Sequence, residues 1–520
     1  MSASALHNAG GWLARRASLT PDRIALIEAD PGANGARALR YAELEARSAR
    51  CAAWLHALGV ARGDRVAIAL ANRSAFLETV FAAARLGAIA LPVNTRLAPP
   101  ELRQIFEDAA PGVLVHEADL SDRVARACAG LSRAPRRIAV GGDSDAYERG
   151  LAAHAPRFDV ARVSPDDPML LMYTSGTTGV PKGALLPHRK TLYNTLNAQL
   201  FFELSGRDCV LAVVPLFHSF GLQILSLPAL YAGATLVLQR HFDAGALWRA
   251  VAAHGVTYFG GVPTMFRELL QALDARGGRG DLDALRFAFT AGAAIPVELI
   301  HAFEARGLLL KQGFGQTETS ILCCLDARDA IRKAGSVGKP VFHVELRVVA
   351  TAEIDGPAAR WRDVAVGETG EIVVRGPITM IGYWRRPEAT AETLREDGWL
   401  RTGDLATVDA EGFVTLVGRG RDLFISGGEN VYPAQVEHAY AEHPDVREIA
   451  VVGVPDERWG EVGCGYVVLA PGATLDVEAL RRWGRERLAS FKVPRSFIAV
   501  AALPKTVTGK VQKHRLPATG

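Results

Sequence analysis

The chain has 520 residues, of which 49% are hydrophobic and 22% are charged, and its formal net charge at pH 7 is +3. A chain of this length is too long for one ordinary core, so two or more domains are expected. The small net charge argues against a nucleic-acid-binding surface, which would need a strong basic excess on one face.

Cysteine usage and the apolar segments predict a protein of a reducing compartment. The six cysteines are scattered, form no C-x-x-C pair and have no zinc-ligand spacing. The N-terminal segment has no apolar run after its arginines, so we expect no signal peptide. The apolar stretch from Leu222 to Leu238 falls short of the roughly 20 residues that span a bilayer. It predicts a buried helix, a turn at Gly233 and a buried strand, and we expect a cytoplasmic protein without a membrane span.

Apolar runs rich in Val, Leu and Ile alternate with helical patterns through most of the chain. In chain order, these runs are Val66–Leu70, Met169–Tyr173, Val210–Val214, Thr235–Leu238, Leu285–Phe289 and Leu308–Lys311. Continuous apolar strands are buried on both faces, as they are in sheets whose crossovers are helices. The pattern therefore predicts an α/β protein with mostly parallel sheet.

Four of these strands are followed directly by polar or glycine-rich segments. The segments read, in chain order, TSGTTG, PLFHSFG, TAGAAIP and QGFGQTE. Ligands of open α/β sheets bind outside the carboxyl ends of the strands. We therefore expect the four segments to converge on one crevice.

From Glu368 onwards, the residue pattern changes to short segments of alternating polarity, typical of strands, separated by glycine turns. This part predicts a small β-barrel-like unit. After Arg419 the order is helix, strand, strand, helix, strand, which predicts a compact α+β domain of about 100 residues. We expect a large domain of stacked α/β sheets at residues 1–418 and a small domain at 419–520, with Gly418–Asp422 as the hinge.

The strongest local signal is the string Tyr173–Gly183, YTSGTTGVPKG. Its glycines let backbone N–H groups approach an anion closely, and its hydroxyls and Lys182 add donors. It is not a Walker A loop, because residue 181 is Pro where that motif needs Gly. The alternative is a Ser/Thr/Gly-rich turn without function.

The string resembles the phosphate loop of the AMP-forming adenylating enzymes, which include acyl-CoA synthetases, adenylation domains of peptide synthetases and luciferases. The resemblance covers nearly the whole chain, and further motifs follow in the order of that family. They are the aromatic-histidine motif Pro215–Gly221, the adenine and magnesium motif Gly313–Glu318, the ribose motif Arg401–Asp404, the hinge stretch Gly418–Glu437 and the catalytic-lysine motif Pro504–Lys510.

The resemblance implies an ATP site and three catalytic residues, Lys510, Glu318 and His218. Lys510 would bridge the substrate carboxylate and the α-phosphate, and Glu318 would bind Mg²⁺. Phe314 would stack on adenine, where the family more often has Tyr. The residues implied to bind ATP or AMP are Thr174, Ser175, Gly176, Thr177, Thr178, Gly179, Lys182, Gly292, Ala293, Gln312, Gly313, Phe314, Gly315, Gln316, Thr317, Asp404 and Arg419.

The resemblance also implies an acid pocket and a CoA site. The pocket residues are His218, Phe220, Gly260, Gly261, Ala291 and Gly313, which suit a hydrophobic acid, aliphatic or aromatic. Amino-acid-activating relatives carry an Asp in the aromatic-histidine region, and Phe217–Phe220 has no carboxylate, so an amino acid is disfavoured. The CoA residues are Gly427, Gly428, Glu429, Trp459 and Phe491. Arg421 would be the hinge pivot, where the family usually has Lys or Asp.

The implied reaction makes an acyl-adenylate from a carboxylic acid and ATP, then a thioester with CoA, after rotation of the mobile small domain. Three alternatives remain: a ligase that loads a carrier-protein phosphopantetheine thiol, a luciferase-like oxygenase, and a catalytically dead binding protein. A homodimer is one option for its assembly. Lys510 is also a candidate for control by a lysine acetyltransferase and deacetylase, since acetylation would remove its charge.

Overall fold

The computed structural model describes residues 7–29, 37–142, 145–157, 159–175, 181–292, 295, 297–419, 424–431, 433–504, 511, 513 and 516. We call the described residues up to 419 the large domain and those from 424 onwards the small domain. None of the helices in these ranges is long and apolar enough to cross a membrane. The boundary between residues 418 and 419 stays a prediction.

The strands of the large domain are β1 Ile24–Glu28, β2 Arg37–Arg40, β3 Arg65–Ala69, β4 Ile89–Pro92, β5 Val113–Glu117, β6 Arg136–Val140, β7 Pro168–Ser175, β8 Pro181–Pro187, β9 Cys209–Ala212, β10 Thr235–Leu238, β11 Tyr258–Gly261, β12 Phe287–Thr290, β13 Leu310–Gln316, β14 Ser320–Cys324, β15 Lys339–Pro340, β16 Glu345–Val349, β17 Gly370–Arg375, β18 Gly382–Tyr383, β19 Leu400–Val408 and β20 Val414–Arg419. Those of the small domain are β21 Phe424–Ser426, β22 Glu429–Val431, β23 Val446–Asp456, β24 Gly460–Leu469 and β25 Ser496–Ala499.

The α-helices are α1 Trp12–Leu19, α2 Tyr41–Ala57, α3 Ser74–Arg85, α4 Pro99–Ala109, α5 Ser121–Cys128, α6 Ala146–Ala152, α7 His188–Phe202, α8 Leu227–Ala232, α9 Ala244–His254, α10 Pro263–Ala275, α11 Val297–Glu304, α12 Pro387–Thr393, α13 Pro433–Ala441 and α14 Val477–Arg487. A π-helix covers Phe220–Ser226, and short 3₁₀ turns cover Ala9–Gly11, Ala118–Leu120, Ala358–Arg360 and Ser490–Lys492.

Two large sheets form the body of the large domain. One has the strand order β18-β8-β7-β4-β3-β5-β6, and the other has the order β15-β14-β13-β12-β11-β9-β10-β1-β2. The central strands of both sheets pair in parallel, as the apolar runs predicted. Strands of both sheets contribute to one apolar cluster, and every residue of α3 is buried in it or beside it. The predicted stacking of α/β sheets is therefore confirmed.

The barrel-like part and the small domain are also confirmed. Strands β16, β17, β19 and β20 form a four-stranded antiparallel sheet next to the large body. In the small domain, the strand order is β22-β21-β24-β23, with β25 paired to β24, and α13 and α14 pack on this sheet. The stretch from Leu222 to Leu238 contains the π-helix, α8, a left-handed Gly233 and β10, which matches its prediction.

Several predicted strand ends differ from the structure by one or two residues, and the largest error is at the end of the run Leu308–Lys311. The run Leu308–Lys311 was expected to end before a loop QGFGQTE, but β13 continues to Gln316. The reason is that β14 returns antiparallel beside it and supplies hydrogen-bond partners for the segment Gly313–Gln316. The adenine motif therefore lies on a rigid strand, and only the turn at Thr317–Thr319 leaves the sheet.

Candidate active site

A cavity of about 1110 Å³ lies where the predicted strand-end segments meet the small domain. Its walls include all four segments, through Thr174 and Lys182, Phe217–Phe220, Ala291 and Gly292, and Phe314–Glu318. The small domain closes one side with Gly427, Gly428, Glu429 and Trp459. The expected convergence on one crevice is thus confirmed for the residues that the structure describes.

The phosphate-loop string begins and ends on paired strands. Antiparallel pairing of β7 with β8 sets Thr174 opposite Lys182, and both line the cavity. The Lys182 ammonium lies 5.5 Å from the centre of the Tyr383 ring. Gly176, Thr177, Thr178 and Gly179 of this string lie outside the described residues, as do Ala293, Arg421 and Lys510. For Ser175 and Arg419, the structure describes only the backbone.

Glu318 stands in the tight turn between β13 and β14 and lines the cavity. Its carboxylate accepts a hydrogen bond of 2.8 Å from the Tyr383 hydroxyl, and its backbone carbonyl accepts one of 2.7 Å from Met380 N–H. Both ends of the residue are therefore fixed, so that the carboxylate is held at the cavity wall.

A buried polar cluster lies directly behind this turn. The Lys190 ammonium on α7 donates to Gln223 Oε1 at 2.9 Å and to Ser320 Oγ, which in turn donates to Gln223 Oε1 at 2.8 Å. All three side chains are fully buried. Burial lowers the pKa of Lys190 to about 7, although the charge of Glu318 offsets part of this effect. The cluster joins α7, the π-helix and the start of β14.

The ribose-motif residue Asp404 is buried just behind the cavity. Its chain neighbours Gly403 and Leu405 line the cavity, while Asp404 itself is 3% exposed and accepts a hydrogen bond from Gln316 Nε2. In the β19–β20 ladder, Asp404 pairs directly with Arg419. The pairing brings together two residues that the resemblance assigned to ATP or AMP binding.

The apolar side of the cavity has an aromatic wall. Phe220 and Phe289 meet edge to face, with ring centres 5.7 Å apart, and both line the cavity with Ala291. Gly260 and Gly313, two predicted pocket residues, lie behind these rings rather than on the surface. A Cβ at Gly260 would lie 2.9 Å from the Phe220 ring, and one at Gly313 would lie 2.6 Å from the Phe289 ring. The absence of a side chain at these two glycines lets the rings approach the strand backbone closely.

Two other predicted residues also stand back from the cavity. Gly261 faces Phe266 and Met265, and it is Met265 that reaches the cavity. Gln312 is buried inside β13, where it pairs with Thr290 of β12. Neither is brought to the surface that a nucleotide or an acid would contact.

The clearest contact between the domains is made by Glu429. Its side chain is 5% exposed, and its carboxylate accepts a hydrogen bond of 2.8 Å from His218 Nε2–H while pairing with Arg96. Burial alone would raise the pKa of Glu429, but the charges of His218 and Arg96 lower it to about 2. His218 remains 42% exposed to the cavity. It is therefore a cavity-wall residue and not a satisfied core histidine.

Two glycines allow the loop before Glu429 to dock this closely. Gly427 and Gly428 have φ values of 56° and 79°, which other residues rarely adopt. A Cβ at Gly428 would lie 2.7 Å from Val262 of the large domain, and one at Gly427 would lie 2.8 Å from the Trp459 ring. Trp459 is half-exposed at the cavity mouth.

A second aromatic residue of the small domain lies at the domain junction, beside the cavity-lining Arg96. Phe491 packs at the domain junction, and the Arg96 guanidinium lies 5.7 Å from the centre of its ring. Of the predicted CoA residues, Gly427, Gly428, Glu429 and Trp459 line the cavity, whereas Phe491 does not.

The sequence reasoning missed Arg96, Val262 and Tyr383. Arg96 follows β4, which pairs in parallel with β7, so the rule that strand ends carry the site would have found it. Val262 follows β11 in the same way. Tyr383 gives no such signal, because it lies on the short edge strand β18, which reaches the site only through its pairing with β8.

Two models of known protein families match this chain. The model of the family described as "AMP-binding enzyme" matches residues 13–384, and that described as "AMP-binding enzyme C-terminal domain" matches residues 435–510. The chain belongs to the AMP-binding enzyme family. Within it, the chain is an ATP-dependent acid–CoA ligase of the AMP-forming type.

Among curated relatives, aromatic-acid ligases are prominent. A feruloyl-CoA synthase from an Amycolatopsis species is 42% identical, over 97% of each chain. An indoleacetate–CoA ligase from Aromatoleum aromaticum is 40% identical, over 96% of each chain.

Structures of o-succinylbenzoate CoA synthetase from Bacillus subtilis differ in how well this chain superposes on them. A double mutant of that enzyme, bound with its product analogue OSB-NCoA, gives a TM-score of 0.86 at 32% identity over 97% of each chain. The same enzyme in complex with the acyl-adenylate intermediate OSB-AMP gives 0.70 at 32% identity over 98% of each chain. The arrangement of this chain is thus closer to that of the enzyme with the CoA product analogue.

Proposed function

We propose that this AMP-binding enzyme activates a hydrophobic, aromatic carboxylic acid with ATP and transfers the acyl group to CoA. The observation that carries the proposal is the single cavity that joins an aromatic wall, the strand-end segments and the Gly427–Glu429 loop. An acyl-adenylate held there would present its carbonyl carbon to the opening between the domains, where a thiol enters.

The aromatic preference is supported by the wall and by the relatives. Phe220 and Phe289 offer flat faces and edges against which a planar ring packs favourably. Feruloyl-CoA synthase and indoleacetate–CoA ligase both carry an aromatic acid in their names. The large-domain segment Phe217–Phe220 supplies no carboxylate that would pair with the amine of an amino acid.

The residues present fit Mg²⁺ as a companion of ATP. Mg²⁺ in nucleotide sites is held by one or two carboxylates together with phosphate oxygens and water. Glu318 supplies one such carboxylate at the cavity wall, and no group of three or more His, Cys, Asp or Glu that could hold a metal occurs in the described ranges. When bound, the ion would offset the negative charge of the triphosphate.

The residues of the chain divide between the two half-reactions. In the first, Lys182 and the phosphate-loop hydroxyls orient the phosphates, and Lys510 offsets the charge as the acid carboxylate attacks the α-phosphorus. Pyrophosphate leaves. In the second, the small domain takes the arrangement seen here, with Glu429 against His218, and the CoA thiol attacks the acyl carbon while AMP leaves.

A panel of acids tests the proposal. AMP release would be measured with CoA for cinnamic-type acids, benzoic acids, indole-acetic acids and fatty acids of increasing length. We expect kcat/KM to be highest for an aromatic acid. A clear preference for fatty acids would refute the aromatic assignment but leave the ligase reaction standing.

The acceptor is tested separately. Replacing CoA with a carrier protein that bears a phosphopantetheine arm should give slower acyl transfer than free CoA. The opposite order would assign the chain to carrier loading instead.

A further inference from the structure

The small domain touches the large domain at a second place, next to the cavity but outside its lining. Its 3₁₀ turn Ser490–Lys492 lies over the beginning of α4. Ala489, just before the turn, is buried in the same apolar cluster as Leu97, Leu102 and Phe106 of the large domain. The turn is therefore docked on the large domain.

A fully enclosed ion pair lies in this contact. The Lys492 ammonium is 2.9 Å from Glu101 Oε1, and both side chains are only 5% exposed. The other carboxylate oxygen of Glu101 accepts a hydrogen bond of 2.9 Å from Ala98 N–H at the start of α4. The hydrogen bond at the helix N-terminus fixes the orientation of the Glu101 carboxylate. Its second oxygen, Oε1, therefore has a defined position to which Lys492 can bind.

A buried ion pair determines the orientation of two domains more than it strengthens their contact. Two charges that leave water lose hydration, and their attraction only about balances this loss. A docking in which one of the two charges is buried without the other is strongly disfavoured. A buried pair across a domain contact therefore favours the one orientation in which both charges meet.

We propose that Glu101 and Lys492 are a positioning pair that selects the thioester-forming arrangement of the two domains. The inference rests on the proposed function, since it assigns this arrangement to the second half-reaction. Neither residue lines the cavity, so the pair acts through the placement of the Gly427–Glu429 loop. Rotation of the small domain about its hinge would part the two charges and return both to water.

The test separates the half-reactions in full-length protein. Lys492→Met, Glu101→Gln and the double variant would be assayed for acyl-AMP formation by pyrophosphate exchange, and for CoA-dependent discharge of supplied acyl-AMP. We expect exchange to stay within about twofold of wild type, while discharge in each single variant slows about tenfold or more. The double variant should discharge faster than either single variant, because it leaves no unpaired buried charge.

A matched control and a second measurement guard against simple loss of folding. Lys333→Met removes a Lys–carboxylate contact inside the large domain, with Asp409 and Glu411, and should change neither half-reaction. Hydrogen exchange of backbone amides at residues 99–109 and 490–492 should be faster in Lys492→Met than in wild type. Equal slowing of both half-reactions, unchanged discharge, or additive effects in the double variant would overturn the proposal.

A different result is expected if the proposed function itself is wrong. If wild type makes acyl-AMP but discharges none of it with CoA, the proposed acceptor is wrong. Hydrogen exchange then still decides whether Glu101 and Lys492 hold the domains in this orientation. Unchanged exchange in Lys492→Met would overturn the positioning role in that case too.

Discussion

Replacing Glu429 with Gln should impair thioester formation and leave adenylate formation intact. The carboxylate of Glu429 holds the small domain to His218 and Arg96, and its pKa is lowered from 4.5 to about 2. A depression of this size corresponds to about 3 kcal/mol of interaction with the charged form. The Glu429 side chain is 5% exposed, but its partners Arg96 and His218 are 47% and 42% exposed, so screening by solvent makes this value an upper bound.

The magnitude of the effect follows from that free energy. Complete loss of about 3 kcal/mol would shift the equilibrium between domain arrangements more than a hundredfold. Gln keeps the size and one acceptor oxygen of Glu, so we expect CoA-dependent discharge of acyl-AMP to slow about tenfold to a hundredfold. Pyrophosphate exchange, which does not need this arrangement, should change little.

The assay is rapid-quench measurement of acyl-AMP discharge at saturating CoA, with Glu478→Gln as the control. Glu478 is an exposed small-domain residue paired with Arg481, away from the domain contact. Because the folded pKa of Glu429 is depressed, the contribution of its carboxylate is present above about pH 4.5 and is lost as pH falls towards 2. Equal discharge rates for wild type and Glu429→Gln at pH 7 would refute the reasoning.

Three further changes test other parts of the molecule. Lys510→Ala should slow acyl-AMP formation about a hundredfold or more and largely spare discharge of supplied acyl-AMP; equal loss in both half-reactions would contradict its role. Gly260→Ala puts a Cβ 2.8 Å from Leu225 Cδ1 and 2.9 Å from the Phe220 ring. It should cost about 1–3 kcal/mol of stability, measured as a lower Tm, and reduce kcat/KM for bulky acids more than for small ones. The pKa of Lys190 is about 7 in the folded protein, against an ordinary value of 10.5. Between these pH values the unfolded chain binds one proton more than the folded protein does. The free energy of unfolding therefore rises with pH across this range, by about 1.4 kcal/mol per pH unit. Lys190→Met should remove this rise, seen as a Tm difference between wild type and variant that changes from pH 7 to pH 10.

The parts of the fold that the sequence predicted are those where local pattern and tertiary structure agree. The run Thr235–Leu238 is a strand with the predicted ends, because its residues are buried on both faces and Gly233 ends the helix before it. The end of the run Leu308–Lys311 was mispredicted. Glycines at 313 and 315 indicate a loop by their propensity, and only the pairing with β14 makes the segment a strand.

The candidate site was predictable where its residues follow parallel strands in the chain. Arg96 could have been found by that rule, whereas Tyr383 could not, since an edge strand carries no comparable signal. The partners of Glu429 could not be predicted from the sequence either. The contact of Glu429 with His218 joins residues 211 positions apart in two domains, and no local sequence pattern signals a contact over such a separation.

The character of the domain contact fits the proposed change between two domain arrangements. The large apolar cluster of the large domain and the main cluster of the small domain are separate, and the small domain contributes little more than Ala489 and Phe491 to an apolar cluster across the junction. The polar contacts across the junction include those of Glu429 with Arg96 and His218, of Lys492 with Glu101, and of Arg267 with the backbone carbonyl of Glu457. When an ion pair separates, water hydrates both charges again and offsets much of the lost attraction. When a broad apolar contact separates, each Å² exposed to water costs about 25 cal/mol. An interface with several ion pairs therefore specifies orientation strongly while keeping the free-energy difference between docked and rotated states small, as the proposed rotation between the two half-reactions requires.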